Sequence, residues 1–89
     1  MAKKRERLEI IKDILNAIRT KREIKPTRLL YASNLSPQMF KDYISELREK
    51  RLIEEKEIKD KKFFILTPKG NNFLEEYRSI EVFIKNFGL

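Results

Sequence analysis

The chain has 89 residues with 21 Lys or Arg against 14 Asp or Glu, a formal charge of +7, and it has no Cys and no His. That length suits one small domain, and the composition excludes disulfides, thiolate nucleophiles, cysteine metal sites and imidazole bases. Gly70 and Gly88 are the only glycines, so no Gly-rich phosphate loop is present, and no apolar run nears the ~20 residues of a membrane span. Positive charge is concentrated early: residues 1–25 carry +5, whereas residues 67–89 are neutral. This asymmetry points to one region that meets a polyanion and another with a different task. A solvated surface biased toward positive charge is the plainer alternative.

Leu8, Ile11, Leu15 and Ile18 recur at helical spacing beside Ile10 and Ile14, which predicts a first helix over about 4–21 with a broad core stripe. Ahead of it, Lys3, Lys4, Arg5 and Arg7 form a charged start that is no signal peptide. They make either an arm on a polyanion or a frayed terminus. Ile24-Lys25 is a short extended pair before Pro26, which opens a second helix over about 26–33 with Leu29, Leu30 and Ala32 available to the core; Asn34 ends it. Ser36-Pro37, a capping hydroxyl followed by Pro, opens a third helix over about 37–50. Its inner face is Phe40, Tyr43, Ile44 and Leu47, and its outer face Gln38, Lys41, Asp42, Ser45, Arg48 and Glu49. Only Asn34-Leu35-Ser36 separates these two helices, with Leu35 as the apolar plug of a tight turn.

Residues 53–58 and 62–66 predict a β-hairpin with a charged tip that lacks an Asn-Gly or Asp-Gly turn. Phe63 and Ile65 fall on the strand face opposite Phe64 and Leu66. Thr67-Pro68 repeats the cap-plus-Pro signal and starts a last helix over about 68–86. In it Phe73, Tyr77, Ile80, Ile84 and Phe87 are spaced 4, 3, 4 and 3, a heptad seam. Gly70, unfavourable inside a helix, is expected to mark a close approach to a neighbouring helix.

The order helix, short strand, helix, tight turn, helix, hairpin, helix predicts a mainly α fold with a small β-hairpin: a winged helix-turn-helix over residues 1–67 and a long C-terminal helix over 68–89, joined as one compact unit. On double-stranded DNA such a third helix fits the major groove and the hairpin reaches the backbone or minor groove. The residues Thr27-Arg28-Leu29-Leu30-Tyr31-Ala32-Ser33-Asn34-Leu35-Ser36, then Tyr43-Ile44-Ser45-Glu46-Leu47 and Arg51-Leu52-Ile53-Glu54-Glu55, resemble a family of small archaeal winged-helix DNA-binding proteins. Leu66-Thr67-Pro68-Lys69-Gly70 with Phe73-Leu74 extends the resemblance, although that piece is shared by many winged helices. The resemblance implies a chromatin-associated homodimer joined by an antiparallel coiled coil of C-terminal helices, in a cytoplasmic, nucleoid-associated setting. The last dozen residues depart from the family in being short and Phe-rich.

The expected DNA-binding residues are Arg28, Ser36, Gln38, Lys41, Ser45 and Arg48 on the helices and Lys59, Lys61 and Lys62 on the hairpin. Gln and Ser can donate and accept at base edges, while Lys and Arg neutralise phosphate. A solvated helix face, and lysines that protect a strand edge, are the plainer readings of the same residues. Asp42 either accepts from cytosine N4 or pairs with Lys41 or Arg48. The expected dimer interface is Phe73, Tyr77, Ile80, Ile84 and Phe87; folding of this seam back onto the first helix is the competing solution. No catalytic group, metal site or cofactor is expected, and no membrane contact. Adjacent Glu54 and Glu55 point apart on a strand, and Ser36 has no base beside it. A winged-helix protein-interaction adaptor that never meets DNA is the alternative function.

Overall fold

The computed structural model describes residues 6–89, so Lys3, Lys4, Arg5 and the start expected for the first helix lie outside the described residues. Helix α1 spans Arg7–Lys21, with the Glu9 carboxylate accepting from the Glu6 N–H at its start and Arg22 at φ 67° closing it. Its wide apolar stripe does sit centrally: Ile10, Ile11, Ile14, Leu15 and Ile18 are all buried. Leu8 departs from the expectation. It is 53% exposed, at the rim of a groove that it lines with Ile11, Leu47 and Phe73.

Strand β1 is Glu23–Ile24, one residue earlier than expected, since Lys25 serves as the N-cap of helix α2, Pro26–Ser33. Pro26 occupies the first helical position, where its missing N–H costs nothing. Leu29 is fully buried and Leu30 half-buried, but Ala32 faces solvent. Ser33 takes the inner position instead, its hydroxyl donating to the Leu30 carbonyl at 2.8 Å. Asn34, at φ 55° and ψ 41°, adopts the left-handed conformation that stops the helix.

Helix α3 spans Pro37–Glu49, and the Ser36 hydroxyl caps it by accepting from the Met39 N–H at 3.3 Å. Ile44 and Leu47 are buried, with Phe40, Tyr43 and Leu35 packed against the same core. Strands β2, Ile53–Ile58, and β3, Lys61–Leu66, form the hairpin, and β1 adds to the free side of β3 in an antiparallel sheet of order β1-β3-β2. The register pairs Ile24 with Phe64 and Ile53 with Leu66. Phe64, Ile24 and Ile53 thereby join the buried core that α1 centres. Phe63 and Ile65 are half-buried on the other side. At the tip, Lys59 and Asp60 have φ values of 50° and 66° between the closing pair Ile58 and Lys61. Positive φ at both central residues is what a two-residue type I′ turn requires.

Helix α4 spans Pro68–Asn86 and begins in a hydrogen-bonded knot. The Thr67 hydroxyl accepts from the Gly70 N–H at 3.0 Å and donates to the Arg51 carbonyl at 2.7 Å, with the Leu52 carbonyl also in reach at 3.0 Å. The Thr67 N–H donates to the same Leu52 carbonyl at 3.2 Å, and the Lys69 ammonium to the Lys50 carbonyl at 2.9 Å. Gly70 is therefore pressed against backbone as expected, but against the Leu52 carbonyl in the turn before β2, not against a helix. Leu74 is buried in the shared core, and Arg19 grips Asn71 and Glu75 while Lys12 pairs with Glu81.

Candidate nucleic-acid interface

Buried Ile44 and Leu47 fix the inner side of α3, so at about 100° per residue Gln38, Asp42 and Ser45 fall on its outward line. Gln38, Lys41, Asp42, Ser45 and Arg48 are all exposed. Ser36 is exposed too, with its oxygen engaged as the α3 cap and its O–H left to donate outward. Arg28 stands exposed on α2 and lines a cleft of about 480 Å³ with Lys21, Lys25, Ile24 and Phe63. Lys59, Lys61 and Lys62 are exposed on the wing.

Glu55 on β2 joins the two parts. Its carboxylate lies 3.9 Å from Arg48 on α3 and 3.9 Å from Lys62 on β3. At that distance each pair is loose and solvated, contributing about 0–1 kcal/mol. It aligns two cations on adjacent elements without neutralising both. Asp42 pairs with neither Lys41 nor Arg48; it accepts a hydrogen bond from the Gln38 amide at 3.2 Å. The two stand one turn apart on the same helix line, which brings the amide within reach of the carboxylate.

Elsewhere on α3, Glu46 accepts from Arg7 and from Lys50 at 3.2 Å, tying the start of α1 to α3. The Arg7 guanidinium also lies 5.9 Å from the Tyr43 ring centre. Hydrogen bonds from Arg7 and then Lys50 hold the Glu46 carboxyl below its usual range. Because the folded value is depressed, this stabilisation is present above the unfolded value of ~4.3 and is lost as pH falls through the folded value. Urea unfolding between pH 6 and pH 3 is expected to show a loss of stability that Glu46→Gln makes slightly smaller.

Two further exposed side chains carry no interface signal in the sequence. Tyr31 is 83% exposed on α2, one turn from Arg28, and Met39 is 44% exposed in the first turn of α3. Each stands off the buried line of its own helix, Leu29 and Ser33 in α2 and Ile44 and Leu47 in α3. Among the described residues no cluster of three or more His, Cys, Asp or Glu could hold a metal ion, and no helix is long and apolar enough to cross a membrane.

An uncharacterised protein of Methanocaldococcus jannaschii is 36% identical over 77 residues, which cover 86% of this chain and 34% of that protein; the chain thus spans about a third of its relative's length. Among solved structures, Sso10a-2, a DNA-binding protein from Sulfolobus solfataricus, superposes with a TM-score of 0.75 at 22% identity, over 93% of this chain and 85% of that one. F93 from STIV, a winged-helix DNA-binding protein, gives 0.69 at 20% identity, over 86% and 90% of the two chains. These likenesses are of fold. Sequence carries the assignment further: residues 4–85 fit the winged helix-turn-helix family, and the chain belongs to that family.

Proposed function

We propose that this protein is a binder of double-stranded DNA, with α3 in the major groove and the wing on the backbone, acting as a homodimer in chromatin organisation or transcriptional control. The observation that carries the reading is the exposed surface made by α3 and the wing, where Arg48 and Lys62 flank Glu55 and Lys41, Lys59 and Lys61 have no ion-pair partner among the described residues. Arg28, Ser36, Gln38 and Ser45 extend it. Sso10a-2 and F93, which share the fold, are DNA-binding proteins. The seam Phe73, Tyr77, Ile80, Ile84 and Phe87 is assigned to the dimer interface, with exposed Ile80, Ile84 and Phe87 as its free part, since Phe73 packs against the core and Tyr77 meets Lys12 within the chain.

A duplex titration across salt concentrations tests it. Each phosphate neutralised releases counterions, so log affinity should fall linearly with log salt by about 0.9 per phosphate. A dimer that neutralises a few phosphates per subunit is expected to give a slope on the order of −5 to −9. Lys59→Ala and Lys61→Ala should weaken all sequences alike, and each should make the slope shallower by about one per phosphate it leaves unneutralised. No duplex binding at low salt, or a flat response, would discard the reading in favour of the adaptor.

A further inference from the structure

A carboxylate at the centre of a DNA-reading surface opposes the phosphates, and Asp42 holds that position on α3. Its partner supplies a reason. A carboxylate only accepts hydrogen bonds, so the approach at 3.2 Å requires Gln38 to turn its amide nitrogen toward Asp42. The flipped amide would set its oxygen against the carboxylate. One N–H of Gln38 is thereby engaged, while the other N–H and Oε1 have no further partner among the described residues, and the side chain is exposed. A side-by-side acceptor and donor is the complement of the adenine major-groove edge, where N6–H donates and N7 accepts. The pair sits in the N-terminal half of α3, the part of a recognition helix that reaches base edges.

We propose that Gln38 reads one adenine and that Asp42 is its positioning residue, locking the amide in the orientation that suits adenine. This rests on the DNA-binding reading above. Asp42 then raises discrimination while lowering affinity, two effects of opposite sign that a merely structural carboxylate would not combine.

The test is competition between duplexes from a randomised library, using the full chain at one salt concentration. Wild type is expected to select one A·T pair by about 5- to 150-fold over other bases there. Gln38→Ala and Asp42→Ala should both relax that same position, and Asp42→Ala should also bind unselected duplexes more tightly than wild type. Asp42→Glu, which keeps the acceptor, should restore part of the preference. Both residues are exposed, so unchanged thermal unfolding is the control for folding. The proposal is overturned if wild type binds duplexes without preferring adenine at any position, or if Asp42→Ala tightens binding to all sequences with the preference intact. If wild type binds no duplex at all, the DNA reading itself falls, and the proposal with it.

Discussion

Gly70→Ala is expected to be severely destabilising, although alanine is by far the better helix former. A methyl group at this position would overlap the Leu52 carbonyl oxygen and lie 2.9 Å from Leu66 Cδ1. The leucine side chain can rotate away. The carbonyl cannot, because it accepts from the Thr67 N–H and lies within reach of the Thr67 hydroxyl, and Leu52 itself is held by its N–H to the Leu47 carbonyl at 2.9 Å. Relief therefore means moving the start of α4 away from the core, which would loosen Leu74 and break the Thr67 bonds. Overpacking and broken buried hydrogen bonds together cost about 3–5 kcal/mol, against a helix-propensity gain of about 1 kcal/mol. For a chain of this size the net effect should lower the melting temperature by roughly 10 °C or more. Thermal and urea unfolding check this; a melting temperature within a degree or two of wild type would show that the approach to Leu52 relaxes at little cost.

Ile80→Glu combined with Ile84→Glu is expected to convert the proposed dimer to a folded monomer. Helix α4 does lie along α1, the arrangement that competes with dimerisation, and it takes the first two seam residues with it: Phe73 packs against the core and the Tyr77 ring centre lies 5.4 Å from the Lys12 ammonium, beside Asn71, Leu74, Glu75 and Glu81. The far part of the seam is left outside. Ile80, Ile84 and Phe87 are 57%, 43% and 68% exposed, and Phe83 and Phe87 extend the apolar strip with ring centres 4.9 Å apart. An apolar strip of this extent marks an interaction surface, and two-fold pairing of identical strips is the commonest closed solution. Two reading heads on one duplex would gain avidity, so dissociation of the dimer should weaken DNA binding by on the order of 10²-fold or more. Sedimentation and the duplex titration on the same double variant give the answer. A dimer that survives both charges would move the interface off this face of α4.

The starts of α2, α3 and α4 were legible because each carries its own chemistry. Pro26, Pro37 and Pro68 mark first helical positions, and Ser36 and Thr67 accept the N–H bonds their side chains predict. The apolar periodicities of α1 and α3 likewise identified the residues that close the core. What escaped depends on interactions between distant parts of the chain. Pairing of β1 with β3 needs the hairpin to be placed first, and Leu8 is left at the rim of a groove whose other walls come from α3 and α4. Within the interface, the spacing of Gln38 and Asp42 is visible in the sequence, but a carboxylate there is expected either to accept from cytosine N4 or to pair with Lys41 or Arg48, and it instead accepts from Gln38. Glu55 reads only as a non-catalytic strand residue, since its two cations come from α3 and β3 and meet it only in the folded chain.

The knot at Thr67 gives the molecule a mechanical property. Arg51, at φ 60°, and Leu52 connect the end of α3 to β2, and both their carbonyls are within hydrogen-bond reach of the residue that starts α4. No slack segment lies between the helix that faces outward with Gln38 and the helix that carries the Ile80 seam. The two helices meet as the arms of a bracket, and tilting α4 on its own would have to break the Thr67 bonds to Arg51 and Leu52.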